Sequence, residues 1–407
     1  MTRTSPKLRV AAVQAAPVFL DLEGTLDKAC HLIATAARRG AKLIVLPEAF
    51  VPAYPDWIWA LPPSRSRAIS ELYAELVENA VTIPGPACDR LCQAAREARV
   101  YVVIGVNERN SEASGTSLYN TLLFIDPDGT LLIRHRKLVP TGAERLVWAR
   151  GDGSTLRVLE TPFGRLGGLI CWENYMPLAR YALYERGVQV HVASTWDRGE
   201  PWLSSLRHIA AEGRMFVIGC CQALHRDHIP DRLEFKRLYP PDRTWINVGD
   251  STIVDPRGQV IAGPLREKED ILFAELDLAV ATGARWMLDV AGHYSRPDVF
   301  QFAVRTAVPG SGESAAVPSS REAARRRALR VRSRPAARRK SVRRVRSRPA
   351  ARRKSVRRAP SRPAARRKSV RRVRSSPAAR RKSVRRVRSR SAARRKSVRR
   401  ARKPRRR

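Results

Sequence analysis

The chain has 407 residues, 79 Lys and Arg against 37 Asp and Glu, and a formal net charge of +42, values that by themselves point to a nucleic-acid binder. The charge is not spread evenly: residues 321–407 hold 43 of the basic residues and one acid, Glu322, so residues 1–320 carry 36 of each and are neutral. This neutral part is long enough for a full core, has no apolar run near the length of a membrane span, and begins without the apolar stretch of a signal peptide.

In chain order, residues 8–15 (LRVAAVQA) read as a buried strand and 21–39 as a helix with Leu26, Ala29, Ile33 and Ala36 on its apolar side. Residues 42–46 (KLIVL) form a strand that stops at Pro47-Glu48, 64–78 and 87–97 are helical, and 100–107 is a strand. Strands 119–125 and 129–134 meet at the turn sequence Asp126-Pro-Asp-Gly129. Strands 156–160 and 166–170 flank Thr161-Pro-Phe-Gly164, and helix 176–186, strand 188–193, helix 202–213 and strand 215–221 follow. A hairpin of 251–254 with 259–261 turns at Asp255-Pro-Arg-Gly258, and 271–276 is the last strand. Alternation broken by hairpins predicts an α/β fold with a mixed sheet covered by helices, not a parallel barrel. Residues 1–307 therefore read as one domain, 308–320 (VPGSGESAAVPSS) as a linker and 321–407 as a separate tail.

The six cysteines (Cys30, Cys88, Cys92, Cys171, Cys220 and Cys221) show no zinc spacing, and adjacent Cys220 and Cys221 suit no mutual disulfide. A reducing, cytoplasmic setting and no metal are the expectation. Cys171 follows the apolar stretch 166–170 and precedes the helix 176–186. Unpaired amides and a helix dipole at such a junction favour a thiolate nucleophile, and the alternative is a buried structural cysteine. Glu48, in LPEAF at a strand end among apolar neighbours, has the setting that raises a carboxyl pKa and suits a general base. A helix cap is the other reading. Lys137, in RHRKLVPTGAERLVW just past a strand, either stabilises developing negative charge or is a solvated cation.

These pieces occur in a specific order: VAAVQAAPVFLD, LPEAF, HRKLVPTGAERLVWARGDGS, GGLICWENYMPLAR, ASTWD, LRHIAAEGRMFVIGCCQAL, WINVGDS and GHYSRPDVF. In that order, over roughly residues 7–304, the chain resembles the nitrilase branch of the carbon–nitrogen hydrolase superfamily. The resemblance implies that Glu48, Lys137 and Cys171 are the family's glutamate, lysine and cysteine, and that Glu144 is its additional active-site glutamate. Trp172-Glu173 looks like the nitrilase branch, since other residues are usual there in the amidases. It further implies a four-layer αββα sandwich, homo-oligomers that often extend into helical filaments, and chemistry that needs neither metal nor organic cofactor. The implied reaction turns a nitrile into a carboxylic acid and ammonia through a cysteine thioimidate and an acyl thioester. An amidase, or an enzyme that stops at the amide, is the rival within the superfamily.

Tyr54, Thr141, Trp172 and Trp196 border the family's pocket and are candidates for substrate contact, although core packing accounts for such residues equally well. Gly142 leaves room for a substituent or gives the loop flexibility, and His208 and His293 read as structural. The tail repeats every 14 residues, as Lys340, Lys354, Lys368, Lys382 and Lys396 mark. Almost without large apolar residues, it is expected to be disordered, like the basic tails of histone-like proteins. It is expected to bind nucleic acid or other polyanions through counterion release, with its RRKSV units similar to kinase sites. A nucleic-acid-associated protein with a secondary enzyme domain, or simple repeat expansion, are the alternatives.

Overall fold

Strand β1 (Leu8–Gln14) sets the architecture. Val10 and Ala12 point to one side and Ala11 and Val13 to the other, and all four are fully buried. A strand covered on both faces must lie inside a layered structure. The computed structural model describes residues 7–306; the linker and tail assigned to 308–320 and 321–407 lie outside the described residues.

The first sheet runs from β1 through β2 (Leu43–Val45), with β3 (Val81–Thr82), β4 (Tyr101–Arg109), β5 (Leu118–Ile125) and β6 (Leu131–Arg136). β1, β2 and β4 are parallel neighbours, and β4, β5 and β6 form an antiparallel meander. The second sheet comprises β7 (Leu159–Thr161), β8 (Gly164–Ile170), β9 (Val190–Thr195), β10 (Phe216–Cys221), β11 (Ala223–His225), β12 (Trp245–Val254) and β13 (Val260–Arg266). Its centre, β8–β9–β10, is parallel. The last strand, β14 (Asp270–Leu276), returns to the first sheet antiparallel to β1.

Helix α1 (Leu22–Arg38) has its N-terminus capped by Asp21, whose carboxylate accepts the amide of Gly24. Short α2 (Trp57–Ala60) and α3 (Ser66–Glu78) follow, and α4 (Pro86–Ala98) starts with a proline where the missing N–H costs nothing. α1 and α4 cover the outer face of the first sheet, with Ile33 and Leu91 against Ala11, Ile44 and Ile104. α5 (Pro177–Glu185) and α6 (Glu200–Gly213) cover the second sheet, with Leu183 and Leu206 against Leu169 and Val217. α7 (Leu278–Ala284) closes the ordered elements. Between the sheets, Val10, Val45 and Phe124 meet Ile170, Val192 and Ile218. Each such side chain contributes roughly 1.5–3 kcal/mol by leaving water. The result is the expected four-layer αββα sandwich.

Most element ends differ from the sequence-based ranges by one or two residues. The larger differences are β12, expected over 251–254 and extending back to Trp245, and β13, expected over 259–261 and running on to Arg266. The polar run Asn247-Val-Gly-Asp250 lies outside the expected strand, but it pairs with β11, and Gln14 of the other sheet accepts the amide of Ser251 at 2.9 Å. Tertiary partners override local propensity there. Similarly, 156–160 shrinks to a strand starting at Leu159.

Two antiparallel steps give β6 the direction of β4, so β2, β4 and β6 end at one edge of the first sheet. Ser194, near the end of β9, donates to the carbonyl of Leu46 at 2.9 Å and joins that edge to the second sheet. At this edge Gly105 lets β4 approach the Pro47–Ala49 turn. A β-carbon at Gly105 would lie 2.4 Å from the Pro47 carbonyl oxygen and 2.5 Å from the Ala49 nitrogen. Gly105→Ala should therefore cost about 1–3 kcal/mol of stability by displacing that turn, read as a lower urea midpoint. An unchanged midpoint would show that the close approach is not required.

Candidate active site

Cys171 is the first residue beyond β8 and has φ +50, in the left-handed region that an ordinary side chain enters at a cost of about 1–2 kcal/mol. The next residues, Cys171–Tyr175, form a single 3₁₀ turn, and neighbouring polar groups hold it. Asn174 Nδ2 donates to the carbonyls of Leu169 at 3.2 Å and Cys171 at 2.9 Å. Its Oδ1 lies 2.7 Å from His191 Nε2, and burial lowers His191 to about 3, so that the ring is neutral. Arg180 donates to the Asn174 carbonyl at 2.7 Å.

Glu173 ties this turn to the other sheet. Its Oε2 accepts the amide of Ile170 at 2.8 Å and lies 2.9 Å from His135 Nε2, and its Oε1 accepts the amide of Leu138 at 2.6 Å. Burial acts to raise this carboxyl, but His135 and the two amides outweigh it and hold Glu173 below the usual glutamate range. One side chain thus holds the residue before Cys171 and the residue after Lys137.

Glu48, Lys137 and Glu144 form one buried group. Lys137 follows β6 directly, and its Nζ donates to Glu48 Oε1 and Glu144 Oε2, both at 2.8 Å. Glu48 also accepts Asn120 Nδ2 at 2.7 Å on Oε1 and the Trp196 amide at 2.7 Å on Oε2. Glu144 accepts the Thr141 amide at 2.6 Å and the Tyr54 hydroxyl at 2.7 Å. Burial raises the Glu48 carboxyl although the Lys137 charge opposes it. For Lys137 burial acts downward, but Glu48 and the other nearby acidic groups outweigh it and raise the ammonium above its usual range. Among its three donors, one remains for a further acceptor.

The Cys171 thiol is pushed up, first by burial and then by the Glu48 charge. This corrects the expectation of a thiolate favoured by a helix terminus. The segment after Cys171 is a 3₁₀ turn, not a long helix, and the surrounding carboxylates oppose a second negative charge. Both effects favour the neutral thiol over the thiolate.

Cys171 and Glu144 open into a cleft of about 590 Å³. Tyr54, Thr141, Trp172 and Trp196 all line it. Tyr54 stacks on Trp196 with ring centroids 4.4 Å apart, and Trp172 donates its indole N–H to Asp197 at 2.7 Å. Glu48 and Lys137 lie behind the lining, fully buried, with charges that bear on the Cys171 thiol. Gly142 provides neither of the properties considered from sequence. It has φ +53, and a β-carbon there would meet Trp59 Cη2 at 2.7 Å, so it admits the Trp59 ring. His208 and His293 are exposed at the surface. Among the described residues, no group of three or more His, Cys, Asp or Glu is arranged to hold a metal.

Sequence reasoning missed Asn120, the Glu173–His135 pair, and the Asp56, Arg198, Tyr239 and Arg243 portion of the cleft. A polar residue inside an apolar strand, such as Asn120 in YNTLLFI, signals a required partner. Tyr239 and Arg243 sit in an irregular segment with no comparable signal.

The carbon–nitrogen hydrolase family pattern matches residues 9–285. An aliphatic nitrilase of Sinorhizobium fredii (strain HH103) is 45% identical over 304 residues, covering 73% of this chain and 96% of that protein. Nitrilase 1 of Arabidopsis thaliana is 41% identical over 307 residues, covering 74% of this chain and 87% of that protein. A bifunctional nitrilase/nitrile hydratase of Nicotiana tabacum, NIT4B, is also 41% identical, with the same shares covered. Among solved structures, Saccharomyces cerevisiae Nit3, a member of branch 10 of the nitrilase superfamily, superposes with a TM-score of 0.56 at 22% identity, covering 71% of this chain and 96% of Nit3. That last likeness concerns the fold.

Replacing Glu173 with Gln leaves one acceptor oxygen for two sides that each present a backbone donor, Leu138 N on one and Ile170 N on the other. Glu173→Gln should lose about 3–5 kcal/mol, measured by denaturant unfolding, because it breaks a buried pair and leaves its partners unmatched. The folded-state pKa of Glu173 is depressed, so its stabilisation is present above the unfolded glutamate pKa and lost as pH falls through the folded value. The variant should therefore show a shallower acid-side fall in stability, and a parallel fall would contradict that role.

Proposed function

The chain belongs to the carbon–nitrogen hydrolase family, and on that basis we propose that it is a nitrilase, converting a nitrile and two waters to a carboxylic acid and ammonia. The observation that carries the proposal is the buried Glu48–Lys137–Glu144 group whose charges bear on Cys171, followed by Trp172-Glu173. The identity to proteins named nitrilases supports the substrate class.

In this reading Cys171 is the nucleophile and Glu48 the base. The carboxylate of Glu48 has four acceptor sites, of which Lys137, Asn120 and the Trp196 amide occupy three. The fourth, on Oε2, takes the thiol proton as sulfur bonds to the nitrile carbon and one C–N π bond breaks. Charge that develops on nitrogen meets the remaining N–H of Lys137 and the free amides at the start of the 171–175 turn. Protonation of that nitrogen gives the thioimidate. Glu48 then activates a water, ammonia departs, and a thioester remains. A second water, activated in the same way, releases the acid and restores the thiol. Glu144 orients Lys137, and Tyr54 in turn fixes Glu144.

A panel of nitriles should give ammonia and acid, and Cys171→Ala should give neither; ammonia from that variant would refute the assignment. Glu48→Gln should lose at least about a hundredfold in kcat. The wild-type acid limb of kcat/KM should lie above the ordinary glutamate pKa, because burial raises Glu48 and activity needs it ionised. A limb at the ordinary value would remove Glu48 as the base. Release of the amide is the second reading, favoured by the name of the tobacco relative, and mass spectrometry of the products gives the ratio. Ammonia without nitrile turnover, from amides alone, would indicate an amidase.

Residues 1–307 are proposed as the catalytic domain. We further propose association of copies, supported by exposed apolar side chains such as Leu178, Trp286 and Phe300. The six unpaired cysteines support a reducing, cytoplasmic setting. For residues 321–407 we propose polyanion binding, supported by their 43 basic residues. Truncation after Ser320 should abolish duplex-DNA binding, measured by anisotropy at low salt, and leave nitrile turnover intact. Retained DNA binding would place that interaction elsewhere.

A further inference from the structure

We infer that Arg198 and Arg243 form an anion subsite in the cleft, and that the preferred nitrile carries a carboxylate. This rests on the nitrile-hydrolysis reading and deepens it.

The polar groups of the cleft fall into two sets. Around Cys171, the Tyr54 hydroxyl donates to Glu144, which in turn accepts from Lys137. The other set has Asp56, Tyr239, Arg198 and Arg243. The Tyr239 hydroxyl donates to Asp56 Oδ2, and the Arg243 guanidinium lies 5.2 Å from the Tyr239 ring centroid. The charges of Arg198 and Arg243 both bear on Asp56. Apolar surface from Trp59, Trp172, Trp196 and Leu238 completes the lining.

The guanidinium groups of the second set are not paired with carboxylates. Asp56 is one carboxylate facing two guanidinium groups. Asp197, also in the lining, brings the formal count to two carboxylates and two guanidinium groups, but its oxygens accept the Trp172 indole N–H at 2.7 Å and the Arg198 backbone amide at 2.8 Å, not either guanidinium. Arg243 donates to the Ile246 carbonyl at 2.7 Å, which uses one of its five N–H groups. Among the described residues neither arginine has a carboxylate within ion-pair distance. Both are half-buried, where an unmatched guanidinium is poorly hydrated and its planar fork fits a carboxylate. A substrate with a cyano group at Cys171 and a carboxylate at its other end satisfies both sets, its methylene chain lying against the indoles.

Two measurements test this. Turnover is compared for ω-cyanoalkanoates, their methyl esters and alkanenitriles of equal chain length. At one chain length the acid should exceed both neutral analogues in kcat/KM by at least about tenfold. The acid-to-ester ratio should fall at least about tenfold in Arg198→Gln and in Arg243→Gln. Separately, calorimetry with Cys171→Ala protein should show the same cyano acid binding more tightly than its ester, with an affinity that weakens as salt rises. Equal or better turnover and binding of the esters, or ratios unchanged in both arginine variants, would overturn the subsite. Absence of turnover on every nitrile would instead remove the nitrilase reading, and the binding comparison would still decide the anion subsite.

Discussion

One ammonium held between two buried carboxylates is the constraint on which the rest of this structure depends. Lys137 contacts Glu48 and Glu144 at 2.8 Å each, and all three are withdrawn from water. Removing each ion from water costs several kcal/mol, and mutual attraction offsets this only when the geometry is good and the remaining sites are filled. One lysine cannot neutralise two carboxylates. The surplus is met by fixed dipoles: Asn120 and the Trp196 amide on Glu48, Tyr54 and the Thr141 amide on Glu144. These partners come from both sheets and from loops far apart in the chain. The group is therefore stable only when the sandwich is complete, and in the completed sandwich burial raises the Glu48 carboxyl, whose charge bears on the Cys171 thiol.

The strained turn at Cys171 depends on the same packing. A left-handed φ at a cysteine persists because Glu173 and Asn174 bond the backbone on both sides of it, and because His191 and His135 hold those two side chains. Glu173 also reaches Leu138, so the positions of the proposed nucleophile and of Lys137 are set by one carboxylate. Three consecutive residues after Cys171 thus have separate duties: Trp172 lines the cleft, while Glu173 and Asn174 anchor the turn.

Much of this was legible from the residues. Strand and helix order followed from apolar spacing and from the three turn sequences at 126–129, 161–164 and 255–258, and strand ends located Glu48, Lys137 and Cys171. The ordered motifs pointed to the four-layer architecture and to Glu144. Other features were hidden because they are pairwise properties across sheets. Asn247-Val-Gly-Asp250 joins a strand only because β11 and Gln14 receive it. Gly142 reads as flexible or roomy until the Trp59 ring fills the space beside it. The protonated state of Cys171 could not follow from a strand-to-helix junction, since burial and nearby carboxylates decide it.

By itself the sequence determined the period of its elements, the neutrality of residues 1–320 against the basic remainder, and which side chains carry reactive chemistry. Those are local properties, set by spacing and residue type. Only the tertiary structure decided which of those groups meet, which proton each one holds, and that Arg198 and Arg243 share a cleft with Cys171. Distances and dielectric surroundings arise when two sheets close on each other, and no single segment contains them.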